Sequence, residues 1–590
     1  MLGKRSSQDD LFDADHRYLS FVGNDSFYGY LSRHRHELFR DEDFASLYCL
    51  TNGRTSVPPS VLACALLLQW YDNVSDQEAV DRAKFDLRWK VALGLQMQEE
   101  PFAKSTLWLF RTQLIVHQHA RALFDLSLKH ARQNGFFKSR TMTVALDTTP
   151  IFGKGAVQDT YNLLAESLRQ VLRVLAALDD KTFDQYAAEH DFRRYTAPSF
   201  KGTVAIDWDN EQDREHVLQA LVVDCDRVLA LARATLTNYT PDSDHARQIV
   251  EATDLLAKIL AQDVRRLPSG EASLIEGVAP DRIVSVHDPE MRHGRKSVSQ
   301  RFNGFKASLA ADTESQLVTA VQVLEASQHD STNADELLEQ SEQATDTTVE
   351  TVLGDSAYGT AEQRIAAQER QRTLIAPLPK APSTGRFSKE EFTIDLVSHT
   401  VVCPAGKSTS RWYADTRKTK RGKVFRGKEF RFSPDDCQDC PLAPQCLKPG
   451  AQWRSIRVHE HEAVMQAARE FQRTDHFRSR YRERVVVEHR IARLVQIGLR
   501  KARYFGKAKT LFQLAMTAAV ANLSLIASNA TKALSLLNAV TNPFKVMIQL
   551  LLRRSHLALQ QRAWTGSGLV SLNTIALIDR HRTPTFRLCL

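Results

Sequence analysis

TMTVALDTTPI, residues 141–151, decides how the chain is read. Apolar and polar residues alternate here with the period of a β-strand, so Thr143, Ala145 and Asp147 share one face and Val144 and Leu146 the other. Residues 1–140 read as helix, so the period changes from 3.6 to 2 at this stretch. Asp147, an acid, stands at the expected end of the strand.

Working outward, FKASLAAD (305–312) and QLVTAVQVLEA (316–326) read as two strands joined by the polar turn Asp312-Thr-Glu-Ser315, a hairpin. Residues 347–354 form a further strand that delivers Asp355. Thr360 and Gln363 cap the helix that follows, and TLIAPL (373–378) is another strand. Glu488 lies late in the chain, in the basic helical stretch YRERVVVEHRIARL (481–494). Strand, hairpin, strand, helix, strand and late acidic-residue helix is the element order of an RNase H-like α/β core, a mixed sheet flanked by helices. The expected organisation is an N-terminal helical, DNA-binding domain (1–140) and a core built from 141–157, 281–380 and 453–540. A helical insertion (158–280), a basic Cys-rich insertion (381–452) and a C-terminal tail (541–590) complete it.

Within the first region Ser60, after Pro58-Pro59, is expected to cap one helix, and Ser75-Asp-Gln-Glu78 to form a capping box for a second. A third is expected near Ser105. These short helices fit either a helix-turn-helix unit or ordinary helical packing, and no base-reading residue distinguishes the two. The formal net charge of +8 favours an anionic partner, and 43% hydrophobic with 25% charged residues is the balance of a soluble globular chain. MLGKRSSQDDLFDADH at the start has no apolar signal core. The apolar stretch 511–530 carries Gln513, Thr517, Asn522 and Ser524, which suits a buried helix better than a membrane span. A cytoplasmic protein with no membrane partner is expected.

Three separated carboxylates, Asp147, Asp355 and Glu488, suit two Mg²⁺ (or Mn²⁺) ions that activate an attacking oxygen and stabilise a leaving one. Asp147 would bridge both ions, Asp355 hold one and Glu488 the other. Asp288 and Asp330 read as turn and helix-cap residues, and His287 and His293 as structural or DNA-facing.

The segments GRTSVPPSVLACALLLQWYDNVSDQEAVDRAKFDLRWKVALGL (53–95), ALDTTPIFGKGAVQDTYNLL (145–164), HDPEMRHGRKSVSQRFNGFKASLAAD (287–312), VLGDSAYG (352–359) and YRERVVVEHRIARL carry a resemblance. The chain resembles a DDE-type insertion-sequence transposase with an N-terminal helical domain. The resemblance implies Asp147, Asp355 and Glu488 as catalytic triad. It implies double-stranded DNA partners (terminal inverted repeats and a target), a homodimer when the ends are paired, and metal-dependent cleavage followed by strand transfer. Relatives often show a Tyr-Arg-Glu pattern with a lysine beyond it. Tyr481, Arg484 and Glu488 match, but the lysine position is Val495, on the glutamate's own helical face. Two rival functions remain: an inactive DNA-binding descendant of a transposase, and a metal-dependent nuclease without joining activity.

Between Arg478 and Lys509 stand eleven Lys or Arg residues and only two acids, Glu483 and Glu488, a density suited to phosphate. Tyr481, Arg484, Arg490 and Arg493 are the DNA-binding candidates there. Arg292, Arg295, Lys296, Arg301 and Lys306 form a second basic set ahead of the hairpin. Cys403, Cys437, Cys440 and Cys446 bracket a basic, aromatic stretch. Their spacing leaves two readings open, a structural Zn²⁺ knuckle grasping DNA or reduced, redox-active thiols.

Overall fold

β1 spans Thr141–Phe152, five residues longer than the alternating run suggested, so Asp147 lies inside the strand rather than at its end. Thr148, Thr149 and Ile151, all β-branched, continue the extended backbone. Pro150 is tolerated because this half of β1 has one strand neighbour only. The computed structural model describes residues 1–5, 14–49, 53–268, 270–277, 279, 281–297, 299–380, 385–418 and 424–532. The chain divides into two units, Met1–Leu525 and Ile526–Leu590, and the expected tail 541–590 lies outside the described residues.

The first unit opens with helices. α1 (Pro59–Asp72) is capped by Pro58, with no side-chain cap, and the Ser60 hydroxyl is buried without a partner, contrary to the cap expected of it. Proline at the first helical position needs no N–H partner, which makes a serine cap dispensable. α2 (Asp76–Phe85) is capped by Ser75 as expected, although Glu78 pairs with Arg82 instead of closing the box. α3 (Lys104–Val116) is tied to α2 by the two nitrogens of Arg111 on the Asp76 carboxylate. Nearby, Tyr30 and the buried His130 share a 2.6 Å hydrogen bond.

After β1 come α4 (Thr160–Leu178), α5 (Glu211–Leu236) and α6 (Asp244–Asp263), which share a hydrophobic core of their own including Leu168, Leu221, Cys225 and Leu256. The sheet then resumes with β2 (Arg292–Arg295), β3 (Arg301–Asp312), β4 (Val318–Glu325), β5 (Thr348–Leu353) and β6 (Thr373–Ile375). β3 lies between β1 and the pair β2 and β4, antiparallel to all three. On its other side β1 is parallel to β5, and β5 is parallel to β6. The β3–β4 hairpin closes through Asp312, whose carboxylate accepts from the Ser315 N–H at 2.8 Å. Gly304 adopts φ +146°, and a Cβ there would sit 2.2 Å from the Ile151 carbonyl oxygen, so only glycine lets β3 approach β1 this closely.

Side chains alternate across β1 as expected. Met142, Val144 and Leu146 pack with Leu337 and Leu338 of α7 (Ala334–Thr345) and with Val349 and Val352. α8 (Ala361–Glu369) follows Asp355 and is capped by Thr360. The opposite face of β1, with Thr143, Asp147 and Thr149, receives arginines from the late helices α9 (Asp475–Arg482) and α10 (Val485–Gln496) and from the turn after them. The last described helix, α11 (Lys507–Lys532), is long and apolar enough to cross a membrane by length and composition, and most of its apolar window is buried. Its buried polar residues are satisfied: Asn522 bonds both the N–H and the carbonyl of Val318, and Gln513 bonds the carbonyls of Gly498 and Lys501.

Between α8 and α9 the cysteine-bearing segment forms small sheets, including a ribbon of β7 (Trp412–Lys418), β8 (Val424–Arg431) and β9 (Ser455–His459), around Phe392, Val401, Phe430, Phe432, Ile456 and Val458.

Candidate active site

The last residues paired between the parallel strands β1 and β5 are Ala145 and Leu353. Two residues beyond each stands an aspartate, Asp147 on β1 and Asp355 after β5. Parallel strands in register therefore carry both carboxylates past the carboxyl ends of the pairing, where open α/β sheets form their crevices. Asp147 accepts from the Thr148 N–H at 2.8 Å through Oδ1, and from Arg484 Nη2 at 2.9 Å through Oδ2. Asp355 accepts from the Ala357 N–H at 2.8 Å, a turn that fixes its carboxylate at the start of the loop into α8.

Glu488 lies in the first turn of α10, where the helix dipole favours a carboxylate. It is tied to the same arginine, whose Nη1 is 2.5 Å from Glu488 Oε1. Arg484 thus bridges Asp147 and Glu488 with a guanidinium that is 13% exposed. Burial is the largest influence on Asp147 and pushes its carboxyl up to about 6. Arg484 and the Thr148 N–H oppose that, while the negative charges of Asp355 and Glu488 add to it. Asp147 therefore feels both of the other acids electrostatically. Tyr358 lies buried beneath them, its phenol raised well above its ordinary value by burial and by Asp147, Asp330 and Asp355.

The other basic candidates separate by environment. Arg295 and Lys296 are exposed. Arg292 and Lys306 depart from the expected surface role. Arg292 is buried and donates to the Pro289 and Met291 carbonyls, and Lys306 is paired with Asp330 and the Gln328 carbonyl at 2.7 Å each. Arg490 is half-buried, and burial together with Arg493 lowers its guanidinium below the ordinary value. Tyr481 stacks on Phe477 with ring centroids 5.6 Å apart. Asp330 is an ion-pair partner rather than a cap. Asp288 is buried, its carboxyl raised by that burial, in a turn whose neighbour Glu290 accepts from the Lys507 N–H at the start of α11. His293 bonds Asn303, and His287 is exposed. The sequence reading missed Arg480, which donates to Thr143, and Arg500, which donates to Thr149. Only the abundance of arginine between Arg478 and Lys509 pointed their way.

Cys403, Cys437, Cys440 and Cys446 are free thiols that line one small cavity with Phe387, Phe432 and Arg454. Burial raises the Cys437 and Cys446 thiols, and the neighbouring cysteines add to the rise. Hard carboxylate oxygens at the first site and soft sulfurs at the second are suitable donor sets for Mg²⁺ and Zn²⁺ respectively. Among the described residues no three His, Cys, Asp or Glu side chains yet stand at metal-holding distance, so either set would have to draw in around an ion.

Two family models match the chain. A transposase DDE domain matches residues 402–527, and a transposase domain (DUF772) matches residues 17–113. The first segment includes the four cysteines and Glu488, and the second includes α1, α2 and most of α3. Asp147 and Asp355 lie outside both. No curated protein and no solved structure matches the chain.

Proposed function

We propose that this chain, for which both family matches support an insertion-sequence DDE transposase, cuts DNA and joins it to a target through Asp147, Asp355 and Glu488. The observation that carries this reading is the equal register of Asp147 and Asp355 past the last parallel pair, with Glu488 brought to them by Arg484. The strand order β4–β3–β1–β5–β6, with β3 antiparallel and β1, β5 and β6 parallel, supports an RNase H-like core.

Transposases of the DDE type use divalent metal, and Asp147, Asp355 and Glu488 would hold it here. Bound metal would supply Lewis-acid activation and charge neutralisation at the scissile phosphate. The chain's own residues do the rest. The two strands hold Asp147 and Asp355 at fixed separation. α10 presents Glu488 in its first turn, held toward Asp147 through Arg484. Tyr481 and Arg493, on the helices that carry Arg484 and Glu488, offer groups suited to phosphate and sugar, and the exposed Arg295 and Lys296 lie farther along the sheet, where β2 pairs with the start of β3. The exposed ribbon β7–β8, where Lys428 covers Trp412 and Arg431 covers Tyr413, offers a second DNA-binding surface, and the four cysteines at its base a structural zinc site. Pairing of two element ends would use two copies of the chain.

The test is a labelled duplex copied from the end of the DNA segment that carries this gene. Asp147→Asn, Asp355→Asn and Glu488→Gln should each abolish Mg²⁺-dependent cleavage while leaving binding intact. Cleavage retained by any of the three would refute the triad. Cleavage without joined products would favour a nuclease, and binding without cleavage by the unaltered chain an inactive descendant.

A further inference from the structure

Three arginines reach the Asp147 face of β1, and their charge balance differs. Arg480 pairs with Glu483, and Arg484 with Asp147 and Glu488. Arg500 donates from Nη1 to Thr149 Oγ1 and to the Pro150 carbonyl, each at 3.1 Å, and is in no ion pair among the described residues. Both of its acceptors are neutral. Thr149 lies two residues beyond Asp147 on the same face, about 7 Å along the strand.

The position is held rigidly. α10 ends at Gln496 with Ile497 as its cap, Gly498, with φ +110°, then turns the chain back toward the sheet, and Leu499 is fully buried behind it. The Phe152 N–H donates to the Arg500 carbonyl at 2.9 Å, and the Ala502 N–H to the Phe152 carbonyl at 2.8 Å. A guanidinium has five N–H donors in a fixed fork. Here one nitrogen is anchored, no carboxylate among the described residues pairs with the positive charge, and the anchor, Thr149, stands one strand repeat from Asp147 on the face that a polyanion would have to approach. Val495, on the Glu488 side of α10, adds no charge.

We propose that Arg500 binds a phosphate of the DNA strand lying across the site, setting that strand's register relative to Asp147. This rests on the DNA-cleaving reading given above. A fixed, unpaired fork contributes one phosphate contact at little ordering cost.

The experiment measures binding of the same end duplex over a range of salt, together with a set of duplexes carrying a single neutral methylphosphonate at successive positions around the cleavage point. Arg500→Gln should weaken binding roughly tenfold and reduce the slope of log affinity against log salt by about 0.9. One methylphosphonate should weaken the unaltered protein and leave Arg500→Gln unaffected. Arg500→Lys, which keeps the charge, should keep the slope. Equal loss of slope in both variants would mark a structural tie, and Arg500→Gln retaining every phosphate sensitivity of the unaltered protein would overturn the assignment. Failure of the unaltered protein to bind the duplex at all would instead count against the DNA-cleaving reading.

Discussion

Arg484 holds Asp147 by a 2.9 Å ion pair on Oδ2, the oxygen left free by the Thr148 N–H, and spends its other terminal nitrogen on Glu488. One internal cation thus neutralises the carboxylates that the proposed function assigns to divalent metal. Metal held there would compete with the guanidinium for the same oxygens, which gives the pair a measurable consequence.

Arg484→Gln should bind Mn²⁺ at least about tenfold more tightly than the unaltered protein, because unit charges about 4 Å apart interact by about 1 kcal/mol in bulk water and about 4 kcal/mol near a protein surface, and about 1.4 kcal/mol is a factor of ten. Titration calorimetry without DNA reads this directly. Unchanged or weaker Mn²⁺ binding would show that Arg484 does not compete.

His130 governs a pH dependence in the N-terminal helices. Burial, with some help from His34, lowers its imidazole to about 4, so the folded protein holds it neutral against Tyr30. An unfolded chain protonates it near 6.5. The unfolded state therefore binds more protons between those values, and stability present above pH 6.5 is lost as pH falls toward 4, on the order of 3 kcal/mol from this residue. Thermal melts from pH 7 to 4 should show a shallower fall for His130→Asn than for the unaltered protein.

Metal analysis of protein purified without chelator should find one zinc per chain, and Cys440→Ser should lose it. Proteolysis should then cut the region 385–459 in the variant faster than in the parent. Protein free of zinc, with a Cys440→Ser variant as resistant as the parent, would leave the cavity as four reduced thiols.

Asn522→Leu should destabilise the β4 edge of the sheet by about 2–4 kcal/mol, because it strands a buried N–H and carbonyl on Val318. Hydrogen exchange at Val318 and its neighbours is the sensitive measurement, and unchanged protection would contradict this account.

The alternation in residues 141–147 and the apolar run before Asp355 were enough to place Asp147 on a strand and Asp355 just past the end of another, because the period of a half-buried strand is written locally. The hairpin was legible for the same reason. Three features were hidden. Pro150 looks like a strand stop, and only the one-sided pairing of that half of β1 explains its tolerance. Lys306 and Arg292 look like surface charges, yet Asp330 and backbone carbonyls from other segments enclose them. Arg500 is indistinguishable in sequence from its ten basic neighbours, since its anchoring depends on Gly498 folding the chain back to Phe152.

That return has a consequence for synthesis. β1 is made early, but the backbone that closes on Phe152 and the glutamate that completes the acidic cluster come much later, Glu488 being 341 positions beyond Asp147. At ordinary translation speeds of about 5–20 residues per second the ribosome needs roughly 17–70 s to cover that distance. Through that interval the nascent chain holds first one and, once Asp355 is made, two of its three acids, and no closed sheet face, so a truncated or stalled product would carry the N-terminal helices without the complete acidic cluster.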